Sequence, residues 1–341
     1  MISLRPATRA DTQAINRIYN QPSVRRFTDG LPFTSLTESA RFCCSTEARI
    51  SLLACGTDGA VLGEASLGRR SLARLAHTGS LGLMVAEEAR RQGIARTLLT
   101  ALLDMADNWL NLKRLDLGVF VNNEAAIMLY KSIGFEIEAT PRHYAMQDGV
   151  LADCHFMARL RPSVAVDQSR PPPRPAPTAR KPFTLRAVEP EDIAALAEIM
   201  NQPGVRHGTL VTPFVTEESL KHIVQPEDGS HVIGAVVEGR LTGFAMLTPG
   251  KGRRLHSAYL PALVVHDAYH GQGIGHALLA AALDIADNWL GLARVDLAVM
   301  ADNHHAIRLY ETFGFEAEGR IRGDVFCNGA YADSLTMARL R

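Results

Sequence analysis

Leu81-Gly82-Leu83-Met84-Val85 begins the stretch of sequence that decides the fold. It leads into Arg90-Arg91-Gln92-Gly93-Ile94-Ala95 and then into a segment that ends at Trp109. Apolar side chains recur at helical spacing in that segment, at Ile94, Leu98, Leu102, Met105 and Trp109. A helix that follows such a turn directs unpaired backbone N–H groups towards it, and the helix dipole adds partial positive charge there. The stretch therefore predicts a strand, a phosphate-binding turn and a long helix.

The same arrangement occurs a second time, in the other half of the chain. There it reads Leu263-Val264-Val265, then His270-Gly271-Gln272-Gly273-Ile274-Gly275, then a helical pattern to Trp289. Further paired segments include Asn20-Gln21-Pro22 with Asn201-Gln202-Pro203, and the closing Met-Ala-Arg-Leu-Arg at Met157–Arg161 and Met337–Arg341. The period is far longer than that of solenoid repeats. We therefore predict a duplication, with domains at 1–161 and 183–341 joined by a linker at 162–182. The linker carries Arg170-Pro171-Pro172-Pro173-Arg174-Pro175, a sequence typical of a stiff polyproline spacer, with a proline-motif ligand as the alternative.

Composition excludes several classes of protein. The 341 residues are 47% hydrophobic, and 36 basic residues balance 36 acidic ones. The chain therefore has no net positive charge that would favour nucleic acid or an acidic membrane as partner. The five cysteines show no CxxC spacing, so a disulfide framework or zinc site is not expected. No signal peptide or membrane-spanning run is evident, and we predict a cytoplasmic protein.

Local patterns predict the order of secondary structure in the first half. Thr8 and Asp11 form a capping box for a helix through Asn20, and Thr57-Asp58-Gly59 joins two strands into a hairpin. The remaining predicted elements are a strand at Ile2–Arg5, a helix near Thr37–Cys44, strands at Ile50–Cys55, Val61–Leu67, His77–Val85 and Arg114–Val121, a helix at Glu124–Ser132 capped by Gly134, and strands at Phe135–Ala139 and Asp153–Ala158. The predicted class is α/β (α+β): in each domain, a mixed, mainly antiparallel sheet with helices on both faces.

Two motifs in each half resemble the GNAT family of N-acetyltransferases. The family pattern Q/R-x-x-G-x-G/A is met by Arg90 to Ala95, and the pattern N-x-x-A-x-x-x-Y-x-x-x-G-F appears from Asn123 to Phe135 and again from Asn303 to Phe315. The blocks Asp-Asn-Trp-Leu and Asn-Gln-Pro further resemble bacterial enzymes that acetylate the α-amine of free L-amino acids. The resemblance implies two GNAT-like domains that use acetyl-CoA (coenzyme A) as cofactor.

The resemblance also implies which residues bind the cofactor. They lie at the strand end, in the turn and at the start of the short helix, and they are Met84, Val85, Arg90, Arg91, Gln92, Gly93, Ile94, Ala95 and Asn123, with Val264, Val265, His270, Gly271, Gln272, Gly273, Ile274, Gly275 and Asn303. His270 departs from the family's Gln or Arg. Since backbone amides carry most of a phosphate-binding turn, we expect this change to weaken binding rather than abolish it.

Acetyl transfer to an amine needs a polarised carbonyl, a deprotonated amine and a protonated leaving thiolate. The resemblance implies that a bulge in the strand ending at Val85 or Val265 turns a backbone N–H towards the thioester oxygen, a contact worth about 3 kcal/mol. It also implies that the sheet splays beside Arg114–Val121 to admit the pantetheine arm. The family places a tyrosine beside the sulfur, which makes Tyr130 and Tyr310 the candidate general acids; the alternative is a ring that only packs under the sheet.

The general base is less clearly marked. Glu64 lies inside the apolar strand Val61–Leu67. It either accepts the amine's proton, directly or through water, or it is a carboxylate on the solvent face of the sheet. The second half of the chain has Phe244 at the matching position and cannot use the same base. His256 in that half and His77 in the first half are further candidates for the general base, with structural roles as the alternative.

Other polar residues have two interpretations each. Asn123 and Asn303 contact the pantetheine, cap the helices that follow, or do both. Arg25-Arg26 and His207 lie in the loop that covers the acceptor in this family, where a cation can hold a substrate carboxylate; the alternative is a solvated charge. His304-His305 have no partners at metal-ligand spacing, so no metal site is predicted.

These observations predict an acetyl-CoA-dependent N-acetyltransferase acting by direct transfer in a ternary complex. The expected acceptor is a small-molecule primary amine, a free amino acid or a compound like one, with no nucleic acid or membrane partner. A monomer or homodimer is expected. The alternatives are an antibiotic or toxin amine, a protein N-terminus, or an acyl-CoA sensor with one non-catalytic lobe.

Overall fold

The computed structural model describes residues 2–28, 30–40, 46, 48–161, 181–226 and 229–341. The chain divides into two compact units, residues 1–165 and 166–341. Nearly all of the predicted linker and the C-terminal end of the predicted helix near Thr37–Cys44, with Cys43 and Cys44, lie outside the described residues. The domain boundaries at 161 and 183 therefore stay a prediction.

Unit one contains one principal sheet with helices on both faces. Its strands are β1 (Ser3–Pro6), β2 (Arg49–Cys55), β3 (Val61–Arg69), β4 (Thr78–Val85), β5 (Arg114–Phe120), β6 (Glu136–Ala139), β7 (Ala145–Gln147), β8 (Val150–Ala152) and β9 (Cys154–Leu160). Its helices are α1 (Thr12–Tyr19), α2 (Pro22–Arg25), α3 (Leu36–Ala40), α4 (Ile94–Asp104) and α5 (Glu124–Ser132). The sheet order is β1-β2-β3-β4-β5-β9-β6, and β7-β8 is a separate hairpin. The pairing is antiparallel except between β4 and β5, which confirms the predicted class.

Unit two repeats this order. Its strands are β10 (Thr184–Ala187), β11 (His231–Val237), β12 (Arg240–Pro249), β13 (Ser257–Val265), β14 (Arg294–Met300), β15 (Glu316–Cys327) and β16 (Ala330–Leu340), and its helices are α6 (Ile193–Met200), α7 (Pro203–Gly208), α8 (Lys221–Val224), α9 (Ile274–Asp284) and α10 (His304–Thr312). One apolar cluster packs α9 against the sheet, and a second packs α6, α7 and α8 against Phe244 and Val264 on the other face. Apolar side chains on both faces of the sheet account for the helices on both sides.

The capping prediction for the first helix is confirmed. Asp11 accepts hydrogen bonds from the backbone and the hydroxyl of Thr8, at 2.9 and 2.8 Å. Arg5 adds a bidentate contact to the same carboxylate, which holds the pKa of Asp11 well below its usual range. A short 3-10 turn at Arg9–Asp11 precedes α1, so the helix proper begins at Thr12.

The long helix does not keep Trp109 on its apolar face, so that prediction is wrong. A π-helical turn at Met105–Trp109 ends the helix, with the N–H of Leu110 bound to the carbonyl of Met105 at 3.0 Å. The extra residue in this turn rotates Trp109 out of the apolar stripe, and its side chain is 79% exposed. Trp289 is displaced in the same way in unit two.

The parallel pair of strands in each unit separates after three residues. β4 pairs with β5 only at Thr78, Gly79 and Ser80, and β13 pairs with β14 only at the start of the strand, from Ser257 to Tyr259. Beyond these residues the two strands are no longer paired with each other, so a gap opens between their facing edges. The predicted splay is therefore confirmed in both units.

The predicted bulge is not where we expected it. β4 pairs with β3 without a register shift from Arg69 to Gly63, so the prediction is wrong for unit one. In unit two the pairing of β13 shifts between Tyr259 and Ala262, well before Val265. Pro261 lies within that interval and has no N–H to donate, which explains the irregularity there.

Candidate active site

The turn before each long helix leaves backbone N–H groups available. Gly93 is the N-cap of α4 with φ of 80°, and Gly273 holds the same place before α9 with φ of 86°. Both are in the left-handed region, which glycine adopts without strain. The first N–H groups of each helix have no carbonyl four residues earlier in the helix to bind. The turn therefore presents donors and the positive end of a helix dipole together.

The turn also has room for an anionic group. A Cβ atom added to Gly93 or Gly273 would meet nothing within 4 Å. Arg90, Arg91 and Gln92 of unit one are exposed beside this space, whereas Ile94 is buried and anchors the helix. The residues present thus fit a bound phosphate or pyrophosphate.

The turn of unit two uses its side chains differently. His270 Nε2 lies 2.9 Å from the carbonyl oxygen of Val265, and Gln272 Oε1 accepts the N–H of Lys181 at 3.2 Å. The His270 contact ties the turn to the end of β13, and the Gln272 contact ties it to the backbone of Lys181. Anion binding at Gly271, Gly273 and their neighbours would then rest on the backbone, as the sequence predicted for a turn without the arginine.

The end of β4 directs one residue towards the open side of the sheet. The N–H of Ala86 binds the carbonyl of Leu62 in the preceding strand at 2.9 Å. In an antiparallel pair the bonding direction alternates along the strand. The backbone of Met84 therefore faces β3, and that of Val85 faces the side where β5 has separated. The same alternation applies to Val264 and Val265, because His266 binds Thr242 at 2.8 Å.

Tyr130 and Tyr310 are buried on the short helix of each unit. Their rings lie 6.0 and 5.7 Å from those of Phe135 and Phe315, so the predicted packing under the sheet is present. Burial raises the pKa of Tyr130 to about 12 and also raises that of Tyr310. Among the described residues, neither hydroxyl makes a hydrogen bond. Packing and an available phenol hydroxyl therefore coexist at these positions.

Glu64 is buried, so its placement on the solvent face is wrong. It lies in β3, 5% exposed, and pairs across the sheet with Met84, the residue before Val85. Ser51 Oγ donates to Glu64 Oε1 at 2.8 Å, and a guanidinium nitrogen of Arg49 lies 3.8 Å away. Burial raises the pKa of Glu64 to about 7, and the smaller effects of Ser51 and Arg49 oppose it. A carboxylate with this pKa can accept a proton near neutral pH.

The polar surroundings of Glu64 are specific to unit one and were missed from the sequence. Ser66 accepts a 2.9 Å hydrogen bond from Arg49, which places two serines and an arginine around the carboxylate. The signal was present, since Arg49, Ser51, Glu64 and Ser66 all fall at alternate strand positions on one face. In unit two, Phe244 is fully buried among apolar side chains instead.

His77 and His256 do not lie at the strand end that carries Val85 and Val265. Each directly precedes its strand, and its carbonyl accepts the N–H groups that open the next strand of the sheet. Eight residue steps, about 26 Å, separate His77 from Val85 along β4, and nine steps, about 30 Å, separate His256 from Val265 along β13. These histidines are therefore excluded as bases acting at Val85 or Val265.

Asn123 and Asn303 cap the helices that follow them. Their side chains accept the N–H groups of Ala126 and Ala306 at 3.4 and 3.3 Å. The capping interpretation is confirmed, and a contact with pantetheine stays a prediction. In the parts of the chain that the structure describes, no cluster of three His, Cys, Asp or Glu side chains is arranged to hold a metal ion.

A short helix absent from our prediction covers the end of β4. The N–H of Ser23 in α2 binds Glu87 at 2.9 Å, and Gln21 accepts the N–H of Glu87 at 2.9 Å. These contacts hold α2, which ends at Arg25, against the turn that follows β4. The guanidinium of Arg26 pairs with Asp148 at 3.0 Å, whereas that of Arg25 stacks 5.9 Å from the ring of Phe33.

Comparison with known proteins agrees with this geometry. The sequence model described as "Acetyltransferase (GNAT) family" matches residues 13–135 and again 194–315. The chain belongs to the GNAT family. It is therefore an N-acetyltransferase of the acyltransferase class, its cofactor is acetyl-CoA, and the tandem arrangement of two GNAT domains is shown.

GNAT relatives differ in the amines that they acetylate. The chain is 34% identical to L-amino acid N-acetyltransferase AaaT of Escherichia coli (strain K12) over 160 residues, 47% of this chain and 98% of that protein. It is 32% identical to the spermine/spermidine N(1)-acetyltransferase of Bacillus subtilis (strain 168) over 146 residues, 41% of this chain and 91% of that protein. A solved structure of a ribosomal-protein-alanine N-acetyltransferase from Brucella melitensis is 30% identical, with a TM-score of 0.42, and covers 47% of this chain and 99% of its own.

The two relatives from Escherichia coli and Bacillus subtilis each match about one GNAT domain, which is consistent with the duplication. Within the described ranges, every helix is too short or too polar to cross a bilayer.

Proposed function

We propose that the chain transfers the acetyl group of acetyl-CoA to the primary amine of a free amino acid or an amino-acid-like compound. Unit one carries the main activity, by direct transfer in a ternary complex. The observation that carries the proposal is Glu64, a buried carboxyl with a pKa raised to about 7 that pairs with the residue before Val85. The 34% identity to an L-amino acid N-acetyltransferase supports the acceptor class.

Acetyl-CoA supplies an activated acetyl group; the chain's residues position it and move protons. The turn from Arg90 to Ala95 would hold the pyrophosphate through backbone N–H groups, with Asn123 beside the pantetheine. The N–H of Val85 would stabilise charge on the acetyl oxygen, a contact worth about 3 kcal/mol. In unit two, the turn from His270 to Gly275, Val264, Val265 and Asn303 would serve the same purposes.

The remaining steps are proton transfers. Glu64 would take the proton of the α-amine, directly or through water. Tyr130, and Tyr310 in unit two, would donate a hydrogen bond to the leaving sulfur. Because the pKa of Tyr130 is raised to about 12 and a thiol's is about 8.5, complete proton transfer from the phenol is uphill, so the hydrogen bond is the main contribution.

An amine panel tests this function. Thiol release from acetyl-CoA is followed with free L-amino acids, polyamines, aminoglycosides and a peptide N-terminus at equal concentrations. We expect the highest kcat/KM for an amino acid, and a higher value for any other class would refute the acceptor. Calorimetric binding of acetyl-CoA without turnover on any amine would indicate a sensor instead.

Two matched variants test which unit is active. Tyr130→Phe should lower kcat by roughly 10–100-fold, and Tyr310→Phe should leave most of the activity on the same amine. Full activity in the first variant with none in the second would reverse the assignment. A cytoplasmic location and a monomeric or dimeric state stay predictions.

A further inference from the structure

Unit two contains a cysteine, a histidine and an aspartate in a row. His207 Nε2 lies 2.9 Å from Asp302 Oδ2, and His207 Nδ1 lies 3.8 Å from Cys327 Sγ. His207 is 6% exposed and Cys327 is 8% exposed, so the pair is shielded from bulk water. The three residues come from α7, from the loop after β14 and from the end of β15, which the fold brings together.

The order of contacts is that of an activated nucleophile. One imidazole nitrogen is bound to the Asp302 carboxylate, which orients the ring, and the other nitrogen faces the Cys327 thiol. A base oriented by a third group and placed against a nucleophile is the arrangement that converts a weak nucleophile into a reactive one. His207 is therefore not the solvated loop cation that the sequence left open as an alternative.

Unit one has two side-chain amides and a backbone carbonyl in contact at the three matching positions. Arg26 corresponds to His207, Asn122 to Asp302, and Gln147 to Cys327, because each pair holds the same place relative to the repeated motifs and turns. Asn122 donates to Gln147 Oε1 at 2.6 Å, and Gln147 donates to the carbonyl of Arg26 at 2.9 Å. Polar contacts connect the three positions in both units, but the central residue is Gln147 in unit one and His207 in unit two, where the three side chains are a thiol, an imidazole and a carboxylate.

The cluster lies at the open end of the splayed strands. Asp302 directly precedes Asn303, and a Cβ on Gly208 would lie 3.6 Å from Asn303 Nδ2, so the end of α7 contacts the start of α10. Asp302 and Asn303 follow β14, at the end where this strand has separated from β13. This is the edge at which the backbone of Val265 faces the gap.

We propose that Cys327 is a nucleophile that accepts the acetyl group of acetyl-CoA in unit two, with His207 as its base and Asp302 as a positioning residue. The inference rests on the proposed binding of acetyl-CoA by unit two. It gives that unit a route to the amine that does not need the carboxylate which Phe244 has replaced.

The chemistry balances in two half-reactions. The Cys327 proton passes to His207, the sulfur attacks the thioester carbonyl carbon, and the carbon–sulfur bond to coenzyme A breaks as the imidazolium returns the proton to the leaving thiolate. The acetyl group is then a thioester on Cys327. An incoming amine attacks the same carbon, His207 takes the amine's proton, and Cys327 leaves and is reprotonated.

The first test is for the covalent adduct, in the full-length chain without an amine. After incubation with acetyl-CoA, we expect peptide mass spectrometry to find one acetyl group on Cys327 that neutral hydroxylamine removes. Cys327→Ser should abolish this thioester label, and Cys154→Ser, which changes a buried cysteine of unit one, should retain it. An unlabelled Cys327, or a label unchanged by Cys327→Ser, would overturn the proposal.

A second test does not depend on the cofactor. The rate at which iodoacetamide alkylates Cys327 should fall roughly tenfold in His207→Gln, because the thiol loses its base. The rate at Cys154 should be unchanged in that variant. Equal rates at Cys327 in wild type and His207→Gln would overturn the activation.

Calorimetry separates the two proposals. Wild-type protein and Gly273→Asp are titrated with acetyl-CoA to identify the site in unit two. Binding there without acetylation of Cys327 refutes the nucleophile and leaves the proposed function standing. No binding in unit two refutes both for that unit.

Discussion

Ser51 Oγ lies 2.8 Å from Glu64 Oε1 and donates a hydrogen bond to it within the sheet of unit one. This contact stabilises the charged carboxylate against the burial that raises its pKa to about 7. It connects a residue that the sequence did not mark with the proposed general base, and it gives the first prediction a direction.

Removing the serine hydroxyl should shift the pH dependence of unit one upwards. In wild type, kcat/KM for the amine should fall as the pH drops below about 7, because Glu64 becomes protonated. Ser51→Ala should raise the pKa of Glu64 further. We therefore expect kcat/KM to be several-fold lower than in wild type at mildly acidic pH and to recover at alkaline pH. The control is Ser66→Ala, whose effect on Glu64 is smaller. A profile in Ser51→Ala identical to wild type would contradict the assignment of Glu64.

Replacing Glu64 itself should raise the stability of the fold at alkaline pH and lower its activity. The carboxyl's pKa is higher in the folded chain than its unfolded value of 4.5, so the folded state loses stability as the pH rises from about 4.5 to 7. The total loss is about 3 kcal/mol. Glu64→Gln does not ionise, and it should exceed wild type in the free energy of unfolding at pH 8 and approach it at pH 5. Urea denaturation at both pH values measures this, and an equal difference at each would exclude the ionisation.

Activity of the same variant is measured alongside. We expect kcat to fall roughly 10²–10⁴-fold with an amino acid acceptor. A variant that is more stable at pH 8 but fully active would show that Glu64 is a buried acid without a catalytic role.

The glycine at the helix N-terminus should matter for binding beyond its effect on the backbone. Gly93→Ala places a side chain at φ of 80°, at a cost of about 1–2 kcal/mol, and distorts the N–H groups that bind phosphate. Calorimetry should show weaker acetyl-CoA binding at unit one. Gly59→Ala is the matched control, since Gly59 has the same φ of 80° but lies in the hairpin turn before β3, outside the residues proposed to bind phosphate. If both variants bind acetyl-CoA like wild type, the turn is not the phosphate site.

Arg25 should select acceptors that carry a carboxylate. Its guanidinium stacks on Phe33, whereas Arg26 already pairs with Asp148. Arg25→Gln should raise KM for amino acids roughly tenfold and leave amines without a carboxylate unaffected. Arg26→Gln should change both classes little. A uniform change across both kinds of amine in Arg25→Gln would point to a structural role.

Removing one partner of a buried ion pair in unit one should lower the free energy of unfolding more than replacing both partners with apolar side chains. Arg114 contacts Glu138 at 2.7 Å, and both side chains are almost fully buried. Arg114→Met should lower the free energy of unfolding by about 3–5 kcal/mol, because Glu138 is left buried. The double variant Arg114→Met/Glu138→Leu should recover most of that loss. Urea denaturation of both variants checks this, and a double variant less stable than the single one would contradict it.

Much of the fold followed from short-range pattern. The hairpin around Gly59 and the helix after Asn123 were predicted because turn chemistry and capping are local properties, whereas the splayed strands were predicted from the family resemblance. Trp109 was placed on the wrong side because a π-helical turn is set by tertiary packing, which periodicity does not report. Arg159, for example, binds Asp107 within that turn at 2.7 and 2.9 Å.

The candidate site was predictable only where a motif marks it. The phosphate-binding turn and the tyrosines could be found by resemblance. The burial of Glu64 could not, since a single carboxylate in an alternating strand fits either face until the packing is known. The contacts of His207 with Asp302 and Cys327 join residues 95 and 120 positions apart, and no local signal connects them.

The replacement of Glu64 by Phe244 has a practical consequence for inhibition. A cationic acceptor mimic could pair with the carboxylate in unit one, but would meet only an aromatic ring at the matching place in unit two. If both units turn over, such a compound should give a dose–response curve that levels off above zero, and the residual rate would report the activity of unit two alone.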